Sequence, residues 1–128
     1  MKRFALTFTL LIVAACKPDP IQQIGYFKDE ASNRVFVLQA DDDIEATTAR
    51  DIIAGKMHTE GQMTVVYLFT SDSAAPSDVV TLAPNFVAAN QAMFDSPGPA
   101  WRWRWVKAPS GKTTFTDCET APDDSSCK

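Results

Sequence analysis

The chain has 128 residues, of which 45% are apolar and 22% charged, and its formal net charge is −4. This length and composition are typical of one small globular domain and exclude a disordered chain. Basic residues number 12 against 16 acidic ones. Nucleic acids and anionic lipid headgroups are bound mainly through Lys and Arg, so the charge argues against both as partners.

The first 16 residues have the three parts of an export signal. Lys2 and Arg3 are basic, and residues 4–13 form an apolar stretch that is too short to span a bilayer, which needs about 20 residues. Val13-Ala14-Ala15-Cys16 then resembles the lipobox of bacterial lipoproteins. The resemblance implies cleavage before Cys16, diacylglycerol on its sulfur and usually a third acyl chain on the new amino terminus. The alternative is an ordinary cleaved signal followed by an incidental cysteine.

This interpretation divides the chain into four segments. Residues 1–15 are the signal peptide, 16–20 the lipidated cysteine and its tether, 21–118 a single domain, and 119–128 a polar tail. A five-residue tether reaches about 18 Å when extended, so we expect the domain close to the bilayer. Asp directly after the cysteine resembles an inner-membrane retention signal. Lys17 occupies that position, which favours the outer membrane, facing the periplasm, over the inner membrane.

The remaining cysteines form an even pair. If Cys16 carries lipid, Cys118 and Cys127 are left in an oxidising compartment, separated by eight residues. This spacing predicts a disulfide that closes the tail, with two free thiols as the alternative. A zinc site is not expected, since two cysteines and one distant histidine are an incomplete ligand set.

Alternating and β-branched residues predict strands in the first half of the domain. Residues 22–28 form the first strand, with Ile24 and Tyr26 on one side, and Arg34–Ala40 the second, apolar on both faces and therefore internal. The acidic run Asp41-Asp42-Asp43 opens a helix, with Asp42 as N-cap and Glu45 three residues later. Its apolar face comprises Ile44, Ala49, Ile52, Ile53 and Met57, with Lys56 and His58 in the last turn and Gly61 as the stop.

The second half repeats the alternation of strand and helix. Residues 63–69 are the most hydrophobic of the domain and predict the central strand, and 71–78 a loop. Leu82, Phe86, Ala89 and Met93 recur at helical spacing, with Pro84 in the first turn. Residues 101–107 and 112–116 predict a closing hairpin. The order β-β-α-β-α-β-β indicates an α+β sandwich: a mixed sheet of about five strands, hairpins at both ends and two helices packed on it.

The run Trp101-Arg102-Trp103-Arg104-Trp105 is the most unusual local pattern. In a strand its three indoles lie on one face and its two guanidinium groups on the other. A structural interpretation packs the indoles under a helix and leaves the arginines in solvent. A functional interpretation exposes part of the row, which then stacks on sugar rings or contacts a protein partner.

No catalytic or cofactor motif stands beside this run. The three consecutive aspartates lack the spacing and glycine of a calcium loop, and His58 has no partner that the sequence identifies. Ser71, Ser73 and Ser77 lack a G-x-S-x-G context. We therefore expect a non-catalytic, lipid-anchored domain that binds another envelope protein, without a metal or cofactor. A glycan- or peptidoglycan-binding module with exposed tryptophans is the alternative, and a small hydrolase is the weakest one.

Overall fold

The computed structural model describes residues 19–41, 44–56, 61–70, 75–95 and 101–127. It has five strands: β1 (Ile21–Lys28), β2 (Arg34–Ala40), β3 (Thr64–Thr70), β4 (Trp103–Lys107) and β5 (Thr113–Asp117). Its helices are α1 (Ala46–Lys56), α2 (Ser77–Thr81) and α3 (Phe86–Asp95), followed by a short 3-10 turn at Ser125–Cys127. The α+β class, the five-stranded mixed sheet and the predicted element order are confirmed.

The strands lie side by side in chain order, so that β1 and β5 form the two edges. Strand β2 is parallel to β3, and every other neighbouring pair is antiparallel. The hairpins predicted at both ends are present. Strand β3 is buried along almost its whole length, as its hydrophobicity predicted for the central position.

The helices cover opposite faces of the sheet. Helix α1 packs on one face, called the α1 face, through a core that includes Ile53, Leu68 and Trp103. Helices α2 and α3 pack on the other, called the α3 face, through a core that includes Val80, Tyr67 and Met93. Burial on both faces explains why β2 and β3 are continuous apolar runs.

The predicted second helix starts later than its stripe indicated, and helix α2, which begins inside the predicted loop at 71–78, precedes it. Helix α2 ends at Thr81, and Leu82, expected on the buried stripe, is 82% exposed. The side-chain oxygen of Asn85 accepts the N–H of Ala88 at 2.9 Å, which is the bond of an N-cap residue. A new helix therefore begins after Pro84, because proline and the Asn85 cap together favour a start rather than a continuation. Only the part of the predicted apolar stripe in α3 packs on the core, at Phe86, Ala89 and Met93.

A bulge between Gln23 and Gly25 changes the predicted faces of β1. Ile24 packs against the α3-face core, whereas Tyr26 lies against Phe36, which belongs to the α1-face core. The prediction that Ile24 and Tyr26 share one side is therefore wrong. An extra residue in one strand shifts the alternation by one position, so the two side chains separate.

The predicted disulfide is present between Cys118 and Cys127, whose Cα atoms are 5.5 Å apart. Both cysteines pack against the α3-face core. The tail after β5 is thus a closed turn, called the disulfide turn (residues 118–127), held to the sheet at both ends.

Several predicted features lie outside the described residues. They are the signal peptide, Cys16, Asp42, Asp43, Met57, His58, Ser71 and Ser73. Within the described ranges, no helix combines the length and the apolar character needed to cross a bilayer.

Candidate functional site: a groove along the β5 edge

The tryptophan-arginine run lies in the interior of the sheet. Strand β4 has β3 on one side and β5 on the other. The exposed fractions of Trp101, Trp103 and Trp105 are 2%, 0% and 6%. Three buried rings cannot stack on a sugar, so the platform that the glycan-binding alternative required is not on the surface.

The three indoles do not share one face, which corrects the predicted alternation. Trp103 and Trp105 pack in the α1-face core, but Trp101 packs in the α3-face core against Tyr67, with ring centroids 5.4 Å apart. Regular strand structure begins only at Trp103, and the chain bends at Arg102. The alternation of side chains holds within a strand, so it does not extend to Trp101.

Arg102 ties the start of β4 to the end of β5. Its guanidinium group lies 4.2 Å from the centre of the Trp103 ring and forms ion pairs with Asp117, at 3.8 Å, and with Glu119. The side chain of Asp117 is only 9% exposed. Arg102 therefore neutralises a largely buried carboxylate and is not a solvated arginine.

Arg104 lies on the α3 face, 5.7 Å from the ring centres of Tyr67 and Phe94. The Tyr67 hydroxyl donates to Asn90 Oδ1 at 2.6 Å. Burial raises the pKa of Tyr67 to about 12, against the opposing effect of the Arg104 charge. At neutral pH the phenol thus stays protonated and serves as a hydrogen-bond donor within the core.

A groove of about 430 Å³ runs along the outer side of β5. Its base is the strand from Thr114 to Asp117. One wall is the first half of α1, and the other is the disulfide turn. The lining side chains on these walls are Ala46, Arg50, Thr120, Ala121 and Asp124.

The hydrogen-bonding register shows which backbone groups of β5 face this groove. Ala108 N–H donates to the Lys112 carbonyl at 2.9 Å, and Cys118 N–H to the Arg102 carbonyl at 2.8 Å. Bonded pairs alternate in an antiparallel ladder. Between these two bonds, Thr114 and Thr116 therefore point their backbone groups at β4, and the intervening residues, Thr113, Phe115 and Asp117, point theirs outward.

The outward groups are largely unpaired. The Asp117 carbonyl accepts Ala121 N–H at 2.9 Å and the Thr120 hydroxyl at 3.2 Å. In the ranges that the structure describes, the N–H groups of Thr113, Phe115 and Asp117 and the carbonyls of Thr113 and Phe115 have no such partner. The groove therefore exposes a short row of donors and acceptors at the spacing of a β-ladder.

An aromatic ring and a cation stand above this row on the α1 face. The Arg50 guanidinium lies 4.4 Å from the centre of the half-buried Phe115 ring, within the range of a cation–π contact. Phe115 packs on the α1-face core, which holds the ring in place. The sequence interpretation did not select either residue. The signal that the sequence contained was the Thr-rich alternation of the last predicted strand, which the predicted hairpin pairs on one side.

A smaller cavity of about 200 Å³ lies beside the tether, lined by Pro20, Gln22, Gln39, Ala40 and Asp41. In the parts of the chain that the structure describes, no group of three or more His, Cys, Asp or Glu side chains is placed to bind a metal ion. Ser77 begins α2 and has no histidine beside it in these ranges.

Comparison with known proteins found no family model, no curated protein and no solved structure that matches this chain.

Proposed function

We propose that this protein is a lipid-anchored domain of the bacterial envelope that binds an extended segment of another envelope protein along the β5 edge. The unpaired backbone row of β5, enclosed in a groove between α1 and the disulfide turn, is the observation that carries the proposal. The burial of the three indoles favours this function over a sugar-binding module.

The physical basis is strand addition. An extended segment that pairs with an exposed sheet edge gains main-chain hydrogen bonds, and the side chains beside the edge select among segments. An exposed edge promotes aggregation, and proteins commonly block it with proline, lysine or a bulge. Residues 113–117 contain none of the three. An edge strand without these protective features is expected where the strand pairs with a binding partner.

The position of the groove suits a partner near the membrane. If Cys16 is acylated, the bilayer lies within about 18 Å of the start of β1. The strand register aligns Gln23, near that start, with Asp117 in the groove. The residues paired between them on the three inner strands are Leu38, Leu68 and Trp103. Four strand spacings place the two edges about 19 Å apart. The groove therefore opens at the same end of the sheet as the tether.

The anchoring part of the proposal is tested by Cys16→Ser. Acylation by two or three chains gives stable membrane binding, whereas one chain gives only marginal affinity. We expect the wild type to incorporate labelled fatty acid and to fractionate with membranes, and the variant to do neither. Wild-type protein that takes up no label would refute the lipid anchor, and fractionation wholly with the inner membrane would refute the outer-membrane location.

The binding part is tested by site-specific photocrosslinking in cells. A benzophenone amino acid at Thr116, in the groove, should give a discrete adduct with an envelope protein. The same probe at Gln23, exposed on β1 at the opposite edge, is the matched control and should give none. Thr113→Pro removes an outward N–H and should suppress the Thr116 adduct. Equal adducts from both edges, or one that Thr113→Pro leaves unchanged, would place the interaction elsewhere.

A further inference from the structure

The charge beside the groove indicates what kind of segment fits it. Arg50 is exposed on α1, and within the residues that the structure describes its guanidinium group has no carboxylate partner. The guanidinium group lies over the Phe115 ring. A guanidinium group stacked on an aromatic ring still has N–H donors along the edge of its own plane that can bind a carboxylate. Arg50 lines the groove, so these donors are available to an occupant.

The acidic residues nearby do not cancel this charge on the α1 face. Asp117 is paired with Trp103 across the ladder, and its carboxylate is ion-paired with Arg102 at 3.8 Å and accepts the Glu119 N–H at 3.0 Å. Glu119 is the second ion-pair partner of the same arginine. Asp124 belongs to the opposite wall, where hydrogen bonds from the Ser126 hydroxyl and N–H lower its pKa. A strand in the groove therefore meets a ring and a positive charge on the α1 face.

We propose that the occupant of the groove is an extended segment of a partner protein with an acidic residue opposite Phe115, its carboxylate bound by Arg50. This proposal rests on the function proposed above and names the chemistry of the partner. A residue that pairs with Phe115 across a ladder has its Cβ about 5 Å from that of Phe115 and on the same face. A Glu or Asp side chain at this position reaches a guanidinium group that already lies over the ring.

A second copy of this chain fits less well. Antiparallel pairing of two β5 strands about Phe115 places the two Arg50 side chains on the same face beside the same pair of rings. Two like charges so placed repel each other, and β5 supplies no unpaired acid opposite Phe115. The charge thus favours a different protein with a carboxylate at this point.

Two synthetic peptides test the proposal on the full chain purified in detergent. Both are blocked at their ends and alternate Thr and Val, and they differ only in a central Glu or Lys. Fluorescence anisotropy should show the Glu peptide binding more tightly, by up to about fivefold, which is the upper end of the range for an exposed ion pair. Arg50→Gln should remove this preference and Arg50→Glu should invert it. Lys28→Gln, an exposed cation on β1, is the matched control and should preserve it.

A third peptide separates the two proposals. It carries the central Glu but has N-methyl groups on the amides that would pair with β5, and it should not bind. If N-methylation abolishes binding while Glu and Lys peptides bind equally, strand addition stands and the acidic preference is refuted. If the methylated peptide binds as well as the parent, or if no peptide binds, strand addition at β5 is refuted as well.

The oligomeric state of the chain gives a further test. If the chain self-associates and Thr113→Pro suppresses that self-association, the edge binds a second copy and the proposal of an acidic partner is overturned.

Discussion

The two outer strands of the sheet treat their unpaired backbone groups differently. On β1 the N–H of Ile21 donates to Asp19 Oδ1 at 3.1 Å, and that of Tyr26 to the Thr81 hydroxyl at 3.4 Å. The bulge at Gln23 and Gly25 further interrupts the row. On β5 the outward backbone groups of Phe115 face an open groove, and those of Thr113 lie just before it. One edge is thus blocked by side-chain hydrogen bonds and a bulge, and the other is not.

Helix α2 accounts for much of the difference. It has five residues, of which Val80 is buried, so it adds little to the core. It lies close against β1: a Cβ added at Gly25 would stand 3.1 Å from the backbone of Ser77. The short helix therefore acts mainly as a cover for β1. This fold therefore covers one sheet edge with only five helical residues and leaves β5 without such a cover.

The largest expected effect separates the inward and outward amides of β5. Thr114→Pro removes an N–H that points at β4 and should lower the free energy of unfolding by about 3 kcal/mol or more. Thr113→Pro, its matched control, removes an outward N–H and should cost about 0.5 kcal/mol or less. Urea unfolding of both variants measures the difference. Equal losses would mean that the register derived for β5 is wrong.

Removal of the disulfide tests the wall of the groove. Replacing Cys118 and Cys127 together by Ser should reduce stability by roughly 2–3 kcal/mol, the chain-entropy estimate for so short a loop. Binding at β5 should weaken with it, because the disulfide turn forms one side of the groove. In protein isolated without reductant, an alkylating reagent should modify neither Cys118 nor Cys127, because both sulfur atoms are held in the disulfide. Two free thiols in such a preparation would contradict the disulfide.

A substitution at Gly25 should open the blocked edge. In Gly25→Val the new side chain meets Ser77 and the Val37 side chain, and this overpacking should cost about 1–3 kcal/mol. Displacing α2 also exposes β1, so we expect faster aggregation as well. Gly55→Ala is the control, since a Cβ there meets nothing within 4 Å and should stabilise α1 by up to about 1 kcal/mol. A Gly25→Val variant as stable as wild type would show that α2 does not seal the edge.

The smallest expected effect is a loosening of the disulfide turn in acid. Hydrogen bonds from Ser126 lower the pKa of Asp124 below its ordinary 3.8. A lowered pKa in the folded state stabilises the turn above pH 3.8, and that stabilisation is lost as the pH falls through the folded value. NMR shifts of the Ser126 amide should follow this titration, and Asp124→Asn should abolish it. A Ser126 amide shift that is flat over this range would contradict the hydrogen bonds.

Local patterns were sufficient for much of the fold. Strand β2 was predicted with its observed bounds because its apolar run is uninterrupted, and the Cys118–Cys127 disulfide followed from composition and spacing. The late start of the second predicted helix was missed because helical spacing continues from Leu82 to Phe86, while the deciding feature is the cap that Asn85 forms. The three indoles were assigned to one face because alternation was extended past the true start of β4.

The sequence by itself determined the class of the domain, its strands and its disulfide, since these depend on periodicity, composition and close neighbours along the chain. The tertiary structure alone decided which strands are edges, which face each tryptophan occupies, and where the groove lies. Arg50 and Phe115 belong to α1 and β5, which are far apart in the domain sequence. Their contact depends on how α1 crosses the sheet, and no local pattern of residues encodes that crossing.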